Sequence, residues 1–410
     1  MSAVVDAALD LVAHLCTATA LGFATRTSRI SRGWLRVAPA PPPERARSLS
    51  IVVPARDEER NIERCVRSLL AQRLDDLEVI VVDDRSSDRT PEILASLTHE
   101  DERLRVVHGA ALPPDWVGKP WACAQGAQIA RGDWLLFTDA DSWHAPEASG
   151  SVLAFAAAHG ADAVTLGTFQ ELGTLAERAI LPAILGLILI AAGPASALND
   201  PHDAEHALAN GQYFMISRDA YETLGGHAAL RNEIVEDLAF ARRLKHDGRF
   251  RLILAGGEAL VRVRMYRSFR EIWDGFTKNM YLGAQGDLGA LGSAAFALAL
   301  LSVVPAALVV EGTLRCRLLR TTEAAFCLAL VVAVQRFGLR HAGLDRRLAV
   351  FSPIGLAVCA AIVVNSTLRV LSGRGVEWRG RRYSGRMHSL ADVSRASRSA
   401  TSGGANPRDV

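Results

Sequence analysis

Paired cysteines are missing from this chain. Its six, Cys16, Cys65, Cys123, Cys316, Cys327 and Cys359, are scattered with no paired spacing. That excludes a disulfide framework and a cysteine zinc site, and it fits a reducing compartment. An excess of either charge is missing too, since 46 Lys and Arg against 44 Asp and Glu leave +2. So small a balance gives no electrostatic reason for nucleic acid as a partner. No small-residue cleavage site convincing enough to mark a signal peptide accompanies the first apolar stretch. What the chain has in quantity is apolar sequence. Half of its 410 residues are hydrophobic, and the length exceeds one ordinary domain.

The apolar residues gather into runs. Leu288 to Val310 is 23 residues without a charge, long enough to cross a bilayer. Leu348 to Leu368 is another 21. Ala324 to Gln335 holds only 12, and it crosses only if extended past Glu323 and Arg336 to about 318–337; the alternative is a re-entrant segment. Together these make 286–370 a transmembrane region. Leu11 to Thr25 is a candidate anchor within 1–25. It precedes a linker, 26–47, that carries Arg26, Arg29, Arg32, Arg36, Arg45, Arg47 and the stiff Pro41-Pro42-Pro43. Basic residues on that side place the next domain in the cytoplasm, beneath a cell membrane crossed several times. Three crossings after that domain would put the tail, 371–410, outside. Yet the tail carries eight arginines against three acids, so its side stays open. Its Ser/Gly-rich end, from about Ser394, reads as disordered.

Two further stretches are ambiguous. Ala179 to Asn199 is 21 uncharged residues interrupted by Pro182, Gly186, Gly193 and Pro194. It reads as a helix in the membrane interface or lining a lipid groove, with a buried core helix as the alternative. Ser268 to Leu282, within 268–285, is amphipathic. Phe269, Ile272, Trp273 and Phe276 suit a bilayer surface, and Arg270 and Lys278 suit anionic headgroups.

Between linker and amphipathic helix the pattern changes. The β-branched run Ser50-Ile51-Val52-Val53 stops at Pro54-Ala55-Arg56-Asp57-Glu58-Glu59, then turns helical through Ile62, Val66, Leu69 and Leu70. Leu77 to Val82 runs into Asp83-Asp84-Arg85-Ser86, after which Asp88 or Thr90 caps a helix with Pro91 near its first turn. Leu104 to Val107 is a third strand and Ala122 to Ala130 a third helix. Strands alternating with helices predict a parallel sheet. Trp134-Leu135-Leu136-Phe137 then leads to Asp139-Ala140-Asp141. Each acidic cluster follows a strand, so all fall on one edge, where open α/β sheets bind ligands. Two carboxylates flanking one small residue suit a hard divalent cation, Mg2+ or Mn2+, that could hold a diphosphate. The alternative is a solvated turn with an Asx cap.

This ordered motif set, over roughly residues 48 to 270, resembles the family 2 glycosyltransferases. The resemblance implies an A-type, Rossmann-like nucleotide-sugar domain over 48–267, with transmembrane helices at the C-terminus and one at the N-terminus. Within that family the chain looks most like membrane-attached enzymes that glycosylate isoprenoid lipids, hopanoid-associated or carotenoid. That likeness rests on Trp116-Val117-Gly118-Lys119-Pro120-Trp121-Ala122, Asn210-Gly211-Gln212, Glu236-Asp237 and Arg264-Met265-Tyr266-Arg267-Ser268. It implies a UDP-sugar donor and a membrane lipid acceptor.

By the same resemblance, Pro54, Ala55, Arg56, Glu58 and Asp84 correspond to the nucleoside pocket, with Asp84 on uracil. Asp139 reaches the ribose and joins Asp141 in holding the metal. Lys119 contacts phosphate, unless it is a solvated loop lysine, and Arg264 and Arg267 close over the diphosphate. An acceptor hydroxyl needs a base. Asp237 takes that role with Glu236 in support, and attack opposite the leaving phosphate inverts the anomeric centre. The alternative for this pair is an acidic first turn complementing a helix dipole. Asn210, Gly211 and Gln212 fall on the acceptor side. Processive relatives carry Trp after the second arginine; Ser268 stands there in this chain, which disfavours synthesis of long polymers.

Two other readings compete. A nucleotidyltransferase predicts a Gly-rich amino-terminal loop with Arg and Lys, which Ser50 to Pro54 lacks. A non-catalytic membrane scaffold predicts decay at charged positions, against the intact Asp139, Asp141 and Asp237. His202 and His206 have the spacing of a helical metal pair, but Pro201 makes the segment a loop-to-helix junction, and acceptor-side contact is preferred.

Overall fold

The computed structural model describes residues 3–30, 32–43, 48–203, 205–284, 286–372, 376–378 and 381–383. Arg45 and Arg47 of the linker, and the tail end from Ser394, lie outside these. A long helix, α1 (Ala3–Ile30), precedes β1 (Leu49–Ala55), α2 (Ile62–Leu70), β2 (Leu77–Asp83), α3 (Thr90–Thr98), β3 (Leu104–His108), α4 (Gly118–Ile129) and β4 (Trp134–Phe137). The domain continues with β5 (Ser142–His144), α5 (Ala148–His159), β6 (Ala163–Gly167), β7 (Phe169–Gln170), α6 (Leu175–Ala192), α7 (Ala195–Leu198), β8 (Phe214–Ser217) and α8 (Arg218–Thr223). It closes with α9 (Glu236–Asp247), β9 (Leu252–Gly256) and β10 (Val261–Val263). Then come α10 (Phe269–Gly283), α11 (Leu288–Leu300), α12 (Val303–Leu314), α13 (Leu318–His341), α14 (Ser352–Leu371), β11 (Val376–Trp378) and β12 (Arg381–Tyr383).

The β-branched runs of β1 and β2 and the apolar β4 are buried almost throughout, as strands covered on both faces must be. They lie together in a seven-stranded sheet of order β3-β2-β1-β4-β8-β6-β9. Parallel pairing sets Ala55 beside Asp83 and Val52 beside Phe137, so the acidic loops after β1, β2 and β4 open on one edge. The sheet is mixed, however, because β8 runs antiparallel to β4 and β6. The chain from β6 reaches β8 by way of α6 and α7 and comes back beside β6 without a parallel crossover. A small sheet of order β5-β10-β7 adjoins the Asp139-Asp141 loop.

Several boundaries differ from expectation. Pro91 does sit in the first turn of α3, and Asp88 accepts the Thr90 N–H at 3.0 Å. The next helix, α4, starts at Gly118 and so takes in Lys119, four residues earlier than its apolar pattern suggests. The anchor continues to Ile30, so Arg26 and Arg29 are helical. The linker is not a free spacer. Val37 N–H bonds to the Gly256 carbonyl at 2.9 Å, Gly256 N–H to the Leu35 carbonyl at 2.8 Å, and Pro42 packs on Gly150.

Among the described residues, five segments are long and apolar enough to cross a membrane: α1, α6, α11 with α12, α13, and α14 with the 3₁₀ turn before it. The run expected at 288–310 is broken at Leu301-Ser302. Ser302 adopts φ −137°, ψ −81°, and Pro305 has no N–H to continue the ladder. Helix α13 is continuous over 24 residues, so the short 324–335 run is extended at both ends, with Glu323 meeting His14 of α1 at 2.7 Å. At the far end of the bundle Arg320, 1% exposed, is shared by Asp6, Asp10 and Glu311, fastening α1, α12 and α13.

The other ends face the α/β domain. Arg36 donates to the His341 carbonyl where α13 finishes. Helix α14 does not return to the far end. Its Asn365 and Ser366 both donate to Thr277 of α10, Ser366 accepts the Tyr281 N–H, and β11 packs on α10. Helix α6 is tied to the domain at both ends: Glu177 to Arg264 at its start, and Asn199, just beyond it, to the Leu254 backbone. Its start lies so close to α14 that a Cβ on Gly355 would stand 2.5 Å from the Ala179 carbonyl oxygen.

Candidate active site

At the open edge of the sheet the Thr138 hydroxyl, 1% exposed, donates to the Gln212 carbonyl at 2.7 Å and pins the loop after β4 to the Asn210-Gly211-Gln212 strip. Lys119, in the first turn of α4, reaches Asp139 Oδ1 at 2.8 Å and Glu236 Oε1 at 2.6 Å. Burial works against its charge, but Asp139, Glu236 and Asp237 outweigh it and hold the ammonium well above its usual range. The first turn of α9 brings Asp237 beside it. Asp237 accepts the Gly211 N–H through Oδ2 and the Leu238 N–H through Oδ1, both at 2.8 Å. Burial first, and Glu236 next, push its carboxyl up to about 6, against Lys119 and the two N–H bonds. That value suits a base poised near neutral pH.

Gly211 is required by close approach. A Cβ there would lie 2.7 Å from Lys119 Nζ and 3.3 Å from Asp237 Oδ2. Its neighbours turn inward. Asn210 bonds to the Leu166 carbonyl at 2.8 Å, and Gln212 Oε1 accepts from Thr168 and Gln170 at 2.6 and 3.0 Å. The strip therefore presents backbone at the site, with the Asn210 and Gln212 amides engaged in holding it.

Pro54, Ala55, Arg56, Glu58 and Asp84 come together at the neighbouring strand ends. Asp84 N–H donates to the Ala55 carbonyl at 2.7 Å, and Arg56 donates to the Asp84 carbonyl at 2.9 Å. Asp57 and Arg85 hold left-handed φ of 53° and 58°, which folds the two loops against each other. Glu58 accepts from the Asn61 amide at 3.0 Å, and Asn61 accepts from Arg267 at 2.8 Å, so Arg267 is linked to this pocket. Arg264 is engaged differently, bonding the buried Glu177 at 3.1 and 3.3 Å. Glu177 also completes the capping box with Thr174 that starts α6. The two arginines thus have separate structural partners.

Asp139 and Asp141 bear on the metal expected there. Among the described residues no three or more His, Cys, Asp or Glu cluster as a metal site. Two carboxylate groups nonetheless fit Mg2+ or Mn2+, which are commonly held by one or two carboxylates and completed by substrate phosphates and water. His206 is instead held by Asp203 at 2.9 Å.

Two functional candidates escape the motif reading, and both are lysines. Only three of the 46 basic residues are lysine: Lys119, Lys245 and Lys278. That rarity is the signal that could have found them. Lys245, 3% exposed, donates to the carbonyls of Ala197 (2.9 Å), Asp203 (3.1 Å) and His206. Three donors on one compact ammonium match three carbonyls as a planar guanidinium would not. Helix α9 thereby holds the loop from α6 at one end and Gly211 at the other. Lys278 is assigned to headgroups by its amphipathic pattern. It lines the cleft, in the electrostatic reach of Glu236, Asp139 and Asp237.

One cavity of about 2260 Å3 joins these parts. Asp84, Lys119, Asp139 and Asp237 line its polar end. Phe23 of α1, Leu187 of α6, Leu291 of α11, Phe337 of α13 and Val363 of α14 line the other.

Residues 50–225 match the model of the glycosyl transferase family 2. The 4,4'-diaponeurosporenoate glycosyltransferase of Staphylococcus haemolyticus is 26% identical over 246 residues, 59% of this chain and 63% of the relative. The enzyme of the same name from Staphylococcus aureus is 26% identical over 360 residues, 82% of this chain and 88% of the relative. This chain thus spans under two thirds of the first relative's length. Among solved structures, the mannosyltransferase PcManGT from Pyrobaculum calidifontis, in complex with GDP-Man and Mn2+, has a TM-score of 0.51 at 18% identity. It covers 88% of this chain and 99% of its own length, a likeness of fold.

Proposed function

We propose that this chain, a glycosyltransferase by its family 2 domain, moves a sugar from a UDP-sugar to a membrane lipid with inversion. The observation that carries this reading is the cavity, polar at the sheet edge and apolar among the helices. A lipid acceptor fits such a space, with its hydroxyl group at Asp237 and its chain between α1, α6 and α13. The staphylococcal relatives are named for 4,4'-diaponeurosporenoate, and an isoprenoid acceptor of that type suits the apolar end.

The chain's own residues then divide the work. Pro54 to Glu58 and Asp84 hold the nucleoside, and Lys119 and Arg267 face the diphosphate. Asp139 and Asp141 would hold Mg2+ or Mn2+, which when bound neutralises charge on the departing diphosphate. Asp237 removes the acceptor's proton while Gly211 and Leu238 fix its orientation. Arg264 secures the start of α6, a wall of the acceptor cavity.

The helix ends support a multi-pass arrangement with the α/β domain and the tail on one side. Helices α11–α12 and α13 run between the α/β domain and the Arg320 cluster, as α1 does, and so cross. Helices α6 and α14 begin and end on the domain side and lie along the junction. Two crossings after the domain return the chain to its own side, the cytoplasm, which suits the basic tail.

Membranes containing the protein, given labelled UDP-sugar, Mg2+ and a lipid extract of the host, test this reading. Label extracted into organic solvent with lipid is expected. Label confined to free sugar or soluble product would count against it.

A further inference from the structure

We propose that Lys278 is an anion-binding residue of the active site, brought in on α10 from the membrane side to hold a phosphate or carboxylate oxygen of a ligand. It rests on the transferase reading above and adds a residue that the motifs do not contain.

The position of Lys278 is set by packing. Ile272 and Phe276, 0% and 4% exposed, anchor α10 in the helical bundle, and Thr277 is bonded to Asn365 and Ser366 of α14. The next residue, Lys278, lines the same cavity as Lys119, Asp139, Glu236 and Asp237. Helix α10 thus lines the cavity between its polar and apolar parts, with Arg270 in its first turn and Lys278 two turns on. In an amphipathic helix lying on a bilayer, a lysine would turn to water and headgroups; here its charge is carried inward.

Burial, and not the surrounding charge, is what favours an anionic partner, since Glu236, Asp139 and Asp237 also act on Lys278. Burial, the largest influence, lowers the Lys278 ammonium to about 8, although Glu236, Asp139 and Asp237 pull it upward. A cation so desolvated gains from any further negative charge. A compact ammonium on a flexible stem suits a point contact with an anionic oxygen. Two ligands of the proposed reaction can supply one: the diphosphate of the donor, or an acid head on an apolar acceptor.

Full-length protein in neutral-lipid nanodiscs separates them. The first arm measures UDP binding with Mg2+ by calorimetry for wild type, Lys278→Met and Lys278→Arg. The second compares palmitate with hexadecanol as competitors of a fluorescent fatty acid. If the diphosphate is the ligand, Lys278→Met weakens UDP on the order of ten- to a hundred-fold, as loss of a charged hydrogen bond does, and Lys278→Arg restores most of it. If the acceptor's acid head is the ligand, UDP affinity holds and Lys278→Met loses the wild-type preference for palmitate over hexadecanol. Lys278→Met equal to wild type in both arms overturns the proposal, as does Lys278→Arg falling as far as Lys278→Met while both melt like wild type. Sugar transfer to lipid that persists in such variants would leave the proposed function standing.

Discussion

At the scale of single residues, the proposed function divides catalysis, at Asp237, from donor binding, at the Asp139-Asp141 pair. Asp237→Asn keeps the shape and one of the two N–H bonds, from Gly211 or Leu238, but cannot take a proton. Its transfer rate should fall by roughly 10²–10⁴-fold, the usual worth of a positioned base, while UDP affinity barely moves. In the wild type the rate should drop as pH falls through about 6, where Asp237 protonates. Stability moves the other way. A carboxyl raised from 3.8 to about 6 by folding contributes stability below its unfolded value, and that contribution is lost as pH rises through the folded one. The melting temperature of Asp237→Asn relative to wild type should therefore rise from about pH 4 to pH 7.5. Asp141→Ala should instead weaken Mg2+-dependent UDP binding along with rate; calorimetry showing unchanged affinity would remove Asp141 from the metal site. The position of Asp139 and Asp141 was legible because carboxylates directly after an apolar parallel strand fall at the sheet edge. Lys278 was not legible there, since helical periodicity gives the angle of a side chain and not what the charged face meets.

Among the elements, the junction of α10 with α14 is the joint on which the site depends. Ser366 both donates to the Thr277 carbonyl (2.6 Å) and accepts the Tyr281 N–H (3.0 Å), and it is fully buried. Ser366→Ala removes two hydrogen bonds that tie α14 to the α10 backbone and should cost about 1–3 kcal/mol, seen as a lower melting temperature in detergent. A wild-type melt would show that water replaces the hydroxyl and that the joint is soft. Hydropathy located the apolar helices but missed this joint, because a window average sees neither Ser366 nor the break at Ser302. It also gave no reason to end α14 on the domain side, which comes from the side chains of Asn365 and Ser366 meeting Thr277.

For the whole molecule, the arrangement of crossings is open to labelling by a native residue. Cys316 lies between α12 and α13 at the far end and is the exposed cysteine of the six; the other five are buried. In intact cells an impermeant maleimide should label Cys316, whereas Ser394→Cys in the tail should label only after permeabilisation. Labelling of Cys316 only after permeabilisation would invert the orientation. The transfer itself is tested by mass spectrometry of total lipid from cells expressing the wild-type chain or Asp237→Asn at equal abundance. A lipid heavier by one sugar should appear with the wild type and be absent or strongly reduced with Asp237→Asn. Identical lipid profiles from the two, with an active wild-type protein, would contradict lipid glycosylation by this site.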